Sequence, residues 1–283
     1  MNKKNLAVIG LSGAILLGSV YSISANTSGY ELYKSALKET HKADSTTMKI
    51  SFTLEDNEKP LFSMNSLMKA DVEQQVSSIS TDLANETETS HMNLFKQDGD
   101  WFVKKEGNDI FFKMDSSKKI HGKGNLELQD DLENLIDVMT KNLQQQITVD
   151  ENKKGGQTIE LDLTGKEIPL TANALSSLLI KHAVLLQDSG NQEVSEFHIK
   201  PTIPELDHDI TVKQINISAM VNKANYVDQQ TVKMVVTGKD KQDQAHEIVL
   251  RLKLDVSEYN HTTVAPVQIP TEKVEVLKMN HGQ

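Results

Sequence analysis

Cysteine is absent from this chain of 283 residues. Its absence excludes disulfides, thiolate metal sites, cysteine nucleophiles and an N-terminal cysteine that could be acylated. Arginine occurs once, at Arg251, so bidentate guanidinium clamps for phosphate or carboxylate groups are almost excluded. Aromatic residues make up only 5% of the chain, with a single tryptophan, which argues against carbohydrate-binding platforms. The apolar area must come mainly from Val, Ile, Leu and Met.

Positive charge is also scarce, since 30 lysines and arginines face 40 acidic residues for a formal net charge of −10. Removal of the first 25 residues, with Lys3 and Lys4, would take this charge to −12. Nucleic-acid binding depends on neutralising phosphates, so we expect no nucleic-acid partner. Electrostatics alone should not hold such a chain on an anionic membrane.

Sequence signatures of catalysis are few. Nine histidines occur without an H-E-x-x-H pair, and no serine sits in a G-x-S-x-G elbow. The acidic stretch at Glu205, Asp207, His208 and Asp209 could hold a cation through oxygens, but a solvated loop explains it better. We therefore predict a protein that is not an enzyme, with no catalytic residues, no metal site and no cofactor.

The first 25 residues have the order of a secretory signal peptide. Lys3 and Lys4 are followed by an uncharged apolar run from Leu6 to Val20, then by small residues before Ala25. The pattern predicts export, with cleavage after Ala25 and a single mature domain over residues 26–283. The alternative is an uncleaved anchor through residues 6–23, although the run is short for a spanning helix. Either way, the protein is expected outside the cytoplasm, secreted or at the cell surface.

Three helices are predicted from apolar residues at helical spacing. The first covers residues 28–42, the second begins at Asp130 or Asp131 and ends near Ile147, and the third begins after Thr171 and reaches Leu186. Met139 and Leu143 belong to the apolar stripe of the second helix, and Leu178 to that of the third. A domain boundary near residues 165–171 is an alternative to one continuous sheet with helices on one side.

Strands are predicted from apolar and polar residues in alternation. Met48 to Leu54 alternates, residues 61–90 do so weakly, and Asp98-Gly99 between apolar runs predicts a hairpin within residues 91–114. A further strand is expected over residues 158–163. The clearest alternation lies near the C-terminus, over residues 215–221, 232–236 and 248–256, and indicates an antiparallel meander with one apolar and one polar face.

The order of these elements resembles the LolA/LppX/LprG-like superfamily of exported lipid carriers and related lipoproteins. The resemblance rests on a helix at residues 30–41 that leads into a strand at 48–54, on "QDGDWFV", and on "TVKMVVTGKDKQDQAHEIVLRLKLDVSEYNHTTVAPV". It implies an open antiparallel half-barrel with helices across its concave face and a hydrophobic cavity between them. The chain departs from the lipoprotein members because it has no cysteine to acylate.

We therefore expect an α+β fold, in which about three helices pack on the concave face of a curved antiparallel sheet. The predicted function is binding of an apolar or lipid-like ligand between sheet and helices. The alternative is a structural or interaction module of the bacterial cell envelope with no cavity, and association with a membrane or the cell wall is left open. The residues proposed to line the cavity are all apolar: Met139, Leu143, Leu178, Val232, Met234, Leu250 and Leu252.

Overall fold

A single large β-sheet dominates the protein. The computed structural model describes residues 29–114, 143, 146–151, 155–169, 199 and 203–277. Its twelve described strands are hydrogen-bonded in the order β12-β6-β5-β4-β3-β2-β1-β11-β10-β9-β8-β7, which leaves β12 and β7 as the two edges of an open sheet. The strands are β1 (Ser45–Asp56), β2 (Lys59–Asp71), β3 (Val76–Asn85), β4 (Thr89–Gln97), β5 (Asp100–Lys105), β6 (Phe111–Met114), β7 (Ile147–Glu151), β8 (Gln157–Thr164), β9 (His208–Val221), β10 (Val227–Lys239), β11 (Ala245–Ser257) and β12 (Val274–Leu277).

Two meanders meet at the centre of this sheet. Strands β1 to β6 follow one another in antiparallel order, and so do β7 to β11. The pairing of β1 with β11 joins the two meanders over ten residue pairs, from Thr47↔Ser257 to Asp56↔Ile248. Only β12 departs from the antiparallel pattern, because it pairs in parallel with β6.

Turn chemistry explains the two-residue connection between β4 and β5. Asp98 and Gly99 link β4 to β5, and their φ angles are +54° and +83°. Two successive positive φ angles are those of a type I′ turn, whose twist matches the right-handed twist of the flanking strands. The hairpin predicted at this dipeptide is therefore confirmed.

One helix, α1 (Gly29–Thr40), packs on the sheet near β7. Ala36 and Leu37 are buried against a cluster that includes Ile159, Val221 and Val227. The helix begins so close to β7 that a Cβ on Gly29 would lie 2.6 Å from the Cγ2 atom of Ile147. The start of α1 therefore needs a glycine.

The segment after β11 returns across the polar face of the sheet to form β12. The side-chain amide of Gln97, at the end of β4, holds this segment at Val267. It donates to the Val267 carbonyl at 3.0 Å and accepts from the Val267 N–H at 3.1 Å. This pair of bonds imitates one rung of a β-ladder and fixes the approach of the chain to β12.

The large antiparallel sheet agrees with the expected fold class, but the expectation of about three helices is not borne out. The described ranges define one complete α-helix, α1, and two 3₁₀ helices of three residues, Gly165–Glu167 and Thr271–Lys273; Leu143 and Gln146 are isolated helical residues. Most of residues 130–147 and all of 171–186 lie outside those ranges. Ile147 does not close a helix; it begins β7, where pairing with Leu161 adds it to the sheet's apolar face.

Candidate functional site

The alternation of β1, β10 and β11 places most of their apolar side chains on one face of the sheet, called here the apolar face; the paired Val235 and Val249 lie on the opposite face. Residues paired directly in antiparallel strands point to the same side. Phe52 pairs with Leu252, which in turn pairs with Val232 on β10. Ile217 and Leu161 extend the same row across β9 and β8. The apolar face is therefore continuous over at least five neighbouring strands.

Four of the seven predicted cavity residues come together on this face. Val232 pairs with Leu252, and Met234 pairs with Leu250 one step further along the same two strands. Leu252 and Ile50 form a buried cluster, and Val232 packs against it. Met234 and Leu250 pack instead against a larger cluster that also contains Leu143. Five predicted residues therefore lie on or against the apolar face, whereas Met139 and Leu178 lie outside the described ranges.

Coverage of the apolar face differs along its length. Near β8 it is fully covered, since Leu163 is 0% exposed in a cluster with Leu143, Ile168 and Leu206. At the centre, Val232, Met234 and Leu250 are only half-buried. The central part of the face is thus the region in which an apolar ligand could add contacts.

A buried polar pair interrupts the apolar face beside α1. Gln230 is 1% exposed, and its Nε2 atom donates to the hydroxyl of Tyr33 at 2.5 Å. Burial raises the pKa of Tyr33 well above its usual value, while the bond from Gln230 acts in the opposite direction. The Oε1 atom of Gln230 is buried without a hydrogen-bond partner. The alternation that includes Val232 and Met234 puts Gln230 on the apolar face, but sequence reasoning missed the pair because no local pattern shows that Tyr33 of α1 reaches it.

A second polar group, not predicted from the sequence, lies at the β10–β11 hairpin. The Nδ1 atom of His246 is 2.8 Å from Asp56 Oδ2, and its Nε2 atom is 3.5 Å from Asp240 Oδ2. Burial acts to lower the pKa of His246, but the two carboxylates outweigh it and raise that pKa above its usual value. The group therefore favours a protonated histidine and ties the hairpin to the end of β1.

The acidic stretch at 205–209 is neutralised by neighbouring cations. Glu205 accepts from Lys241 at 2.9 Å, and Asp209 lies 3.7 Å from the ammonium of Lys239. His208 contacts the carboxylates of Asp207 and Asp243, and the hydrogen bond to Asp243 contributes most to raising its pKa. Across the described ranges, no group of three or more His, Asp or Glu side chains is arranged to hold a metal ion. None of the helices traced there has the length and apolar character needed to cross a membrane.

Comparisons with known proteins give little more than a fold-level likeness. No protein-family model matches the chain, and no curated protein matches it. The solved structures similar to it include a LolA superfamily protein from Nitrosomonas europaea, 8% identical, with 85% of this chain and 96% of that chain covered. The TM-score between the two structures is 0.25.

Proposed function

We propose that this is an exported, non-enzymatic protein that binds an apolar or lipid-like ligand on the apolar face of its sheet. The observation that carries the proposal is the half-buried apolar surface at the centre of that face, formed by Val232, Met234 and Leu250 with Phe52 and Met64 beside them. Burial of apolar surface contributes about 25 cal/mol per Å², so a ligand that covers these side chains gains affinity without a charged partner.

The polar pair on the same face supplies a means of orientation. Apolar sites commonly use a few buried polar groups to fix the direction of the ligand. The unpartnered Oε1 of Gln230 could accept one hydrogen bond from a hydroxyl or amide of the ligand. An amphipathic ligand with a single donor would fit such a face better than a pure hydrocarbon.

The proposal is tested with an environment-sensitive dye such as ANS and the variant Leu250→Asp. A buried carboxylate on the apolar face should weaken dye binding roughly tenfold, because charge is costly in an apolar environment. Leu67→Asp is the matched control, since Leu67 lies on the opposite face of β2 and is 38% exposed. We expect the control to bind dye like the wild type, and circular dichroism to show that both variants are folded.

Native mass spectrometry of the protein purified from its own host would identify the cargo. An added mass that is lost in Leu250→Asp and kept in Leu67→Asp supports a carrier. A protein of bare mass that binds no dye would instead favour the structural or interaction module, with an apolar face filled by the protein's own side chains.

A further inference from the structure

The face opposite to the apolar one, called here the polar face, contains a trough of about 500 Å³. One row of paired residues crosses it on five neighbouring strands: Thr53, Arg251, Lys233, Asn216 and Asp162. A parallel row two residues away consists of Ser51, Lys253, Thr231, Ser218 and Glu160. The volume is in the range of small-molecule sites, and the side chains of both rows are polar throughout.

Like charges lie side by side at the centre of this trough. Arg251 is the direct partner of Lys233, and Lys253 follows Arg251 on the same face of β11. Cations directly opposite one another destabilise an antiparallel pair. The chain has a net charge of −10 and one arginine, so this grouping of three cations runs against its composition.

Carboxylates pair with two of these three cations. Arg251 Nη1 lies 2.7 Å from Glu55, and Lys253 lies 3.0 Å from Asp255. The ammonium of Lys233 donates to the neutral side chain of Gln214 at 3.2 Å. Arg251 and Lys253 remain 45% and 50% exposed, so both can reach a ligand from solvent.

We propose that this trough is a binding site for a compact anion of phosphate or carboxylate chemistry, held between Arg251 and Lys233. A guanidinium presents several N–H donors in a plane that matches such a group, and the hydroxyls of Thr53 and Thr231 can donate from the floor of the trough. Asp162 and Glu160 line the far side, so repulsion excludes a long polyanion. The site lies across the sheet from the apolar face and does not depend on the function proposed for that face.

The test is a titration of the ¹⁵N-labelled protein with inorganic phosphate and, separately, glycerol 3-phosphate at low ionic strength. We expect amide shifts confined to β1, β8, β9, β10 and β11, and weaker binding as salt is added. Lys233→Gln should raise Kd about two- to fivefold, as expected for loss of one partly exposed charge. Lys104→Gln is the control, since Lys104 lies on the same face of β5, six strands away, and should leave Kd unchanged.

Further variants make the outcome decisive. Asp162→Asn should tighten phosphate binding about twofold by removing a repulsive charge, and Lys253→Gln gives a second cation deletion in case Lys233→Gln does not fold. Equal effects of the Lys233 and Lys104 variants, or shifts spread over both faces, would show non-specific screening and overturn the proposal. Weaker binding by Asp162→Asn would also overturn it, because the ligand would then need the carboxylate. Stronger binding of glycerol 3-phosphate than of inorganic phosphate, lost in Lys233→Gln, would identify an organic phosphate.

Discussion

Leu163→Ala should destabilise the protein more than the same deletion at Leu67 on the polar face. Leu163 is 0% exposed, pairs with Ile215, and packs with Leu143, Ile168 and Leu206. Removal of three carbons costs roughly 2.4 kcal/mol at about 0.8 kcal/mol each. Partial collapse should leave about 30–80 Å³ unfilled, which at about 24 cal/mol per Å³ adds roughly 0.7–1.9 kcal/mol. The free energy of unfolding should therefore fall by about 3–4 kcal/mol.

Urea denaturation followed by circular dichroism measures this difference. The matched control is Leu67→Ala, the same deletion on the polar face of β2 at a side chain that is 38% exposed. We expect the control to lose less than about 1 kcal/mol, with an unchanged dependence on urea in both variants. Equal losses in the two variants, or a loss below about 1 kcal/mol for Leu163→Ala, would refute the view that the β8 end of the apolar face is a packed core.

Three further predictions concern the connections of the sheet. Gln97→Ala removes both bonds to Val267 and should cost about 1–3 kcal/mol, with faster amide exchange in residues 262–277 but not in β9. Gly99→Ala should lower the free energy of unfolding, measured by urea denaturation, by about 1–2 kcal/mol, because a side chain disfavours the φ of +83°. No further loss from a clash is expected, since no atom lies within 4 Å of the added methyl group. Because the pKa of His246 is higher in the folded protein than its ordinary value of 6.5, protonation of this residue stabilises the fold fully below pH 6.5. The free energy of unfolding, measured by urea denaturation at several pH values, should fall as pH rises through the folded pKa. This fall in the free energy of unfolding should be smaller in His246→Gln. If the free energy of unfolding depends on pH identically in wild type and variant, the ion pair of His246 with Asp56 has no role in stability.

Alternation predicts the centre of the sheet well because each of these strands has one buried and one solvated face. Met48 to Leu54 and Ile248 to Val256 follow a period of two, and the structure pairs them residue by residue. The pairing of β1 with β11, about 200 residues apart along the chain, was not predicted. Periodicity assigns a face to each residue, but it does not identify the partner strand.

The edge strands could not be predicted for a related reason. In β7, Ile147 and Val149 reach the apolar face within a strand of five residues, too short to distinguish from the end of a helix. In β12, Val274 to Leu277 gains its hydrogen bonds from β6, more than 160 residues earlier in the chain. Both strands exist because an existing edge offers unpaired N–H and C=O groups, and no local pattern reports this.

Both proposed binding sites depend on a single register of β11. Leu250, Arg251 and Leu252 are consecutive, so the outer two lie on the apolar face and the arginine lies in the trough on the polar face. A shift of β11 by one residue would bury the guanidinium and expose both leucines, which makes such a shift costly. The carboxylate of Asp240 helps to hold the register, because it accepts from the N–H groups of Gln242 and Gln244 in the β10–β11 turn. Substitutions on opposite faces of these strands should therefore affect the two proposed binding sites separately: Leu250→Asp on β11 should leave phosphate binding intact, and Lys233→Gln on β10 should leave dye binding intact.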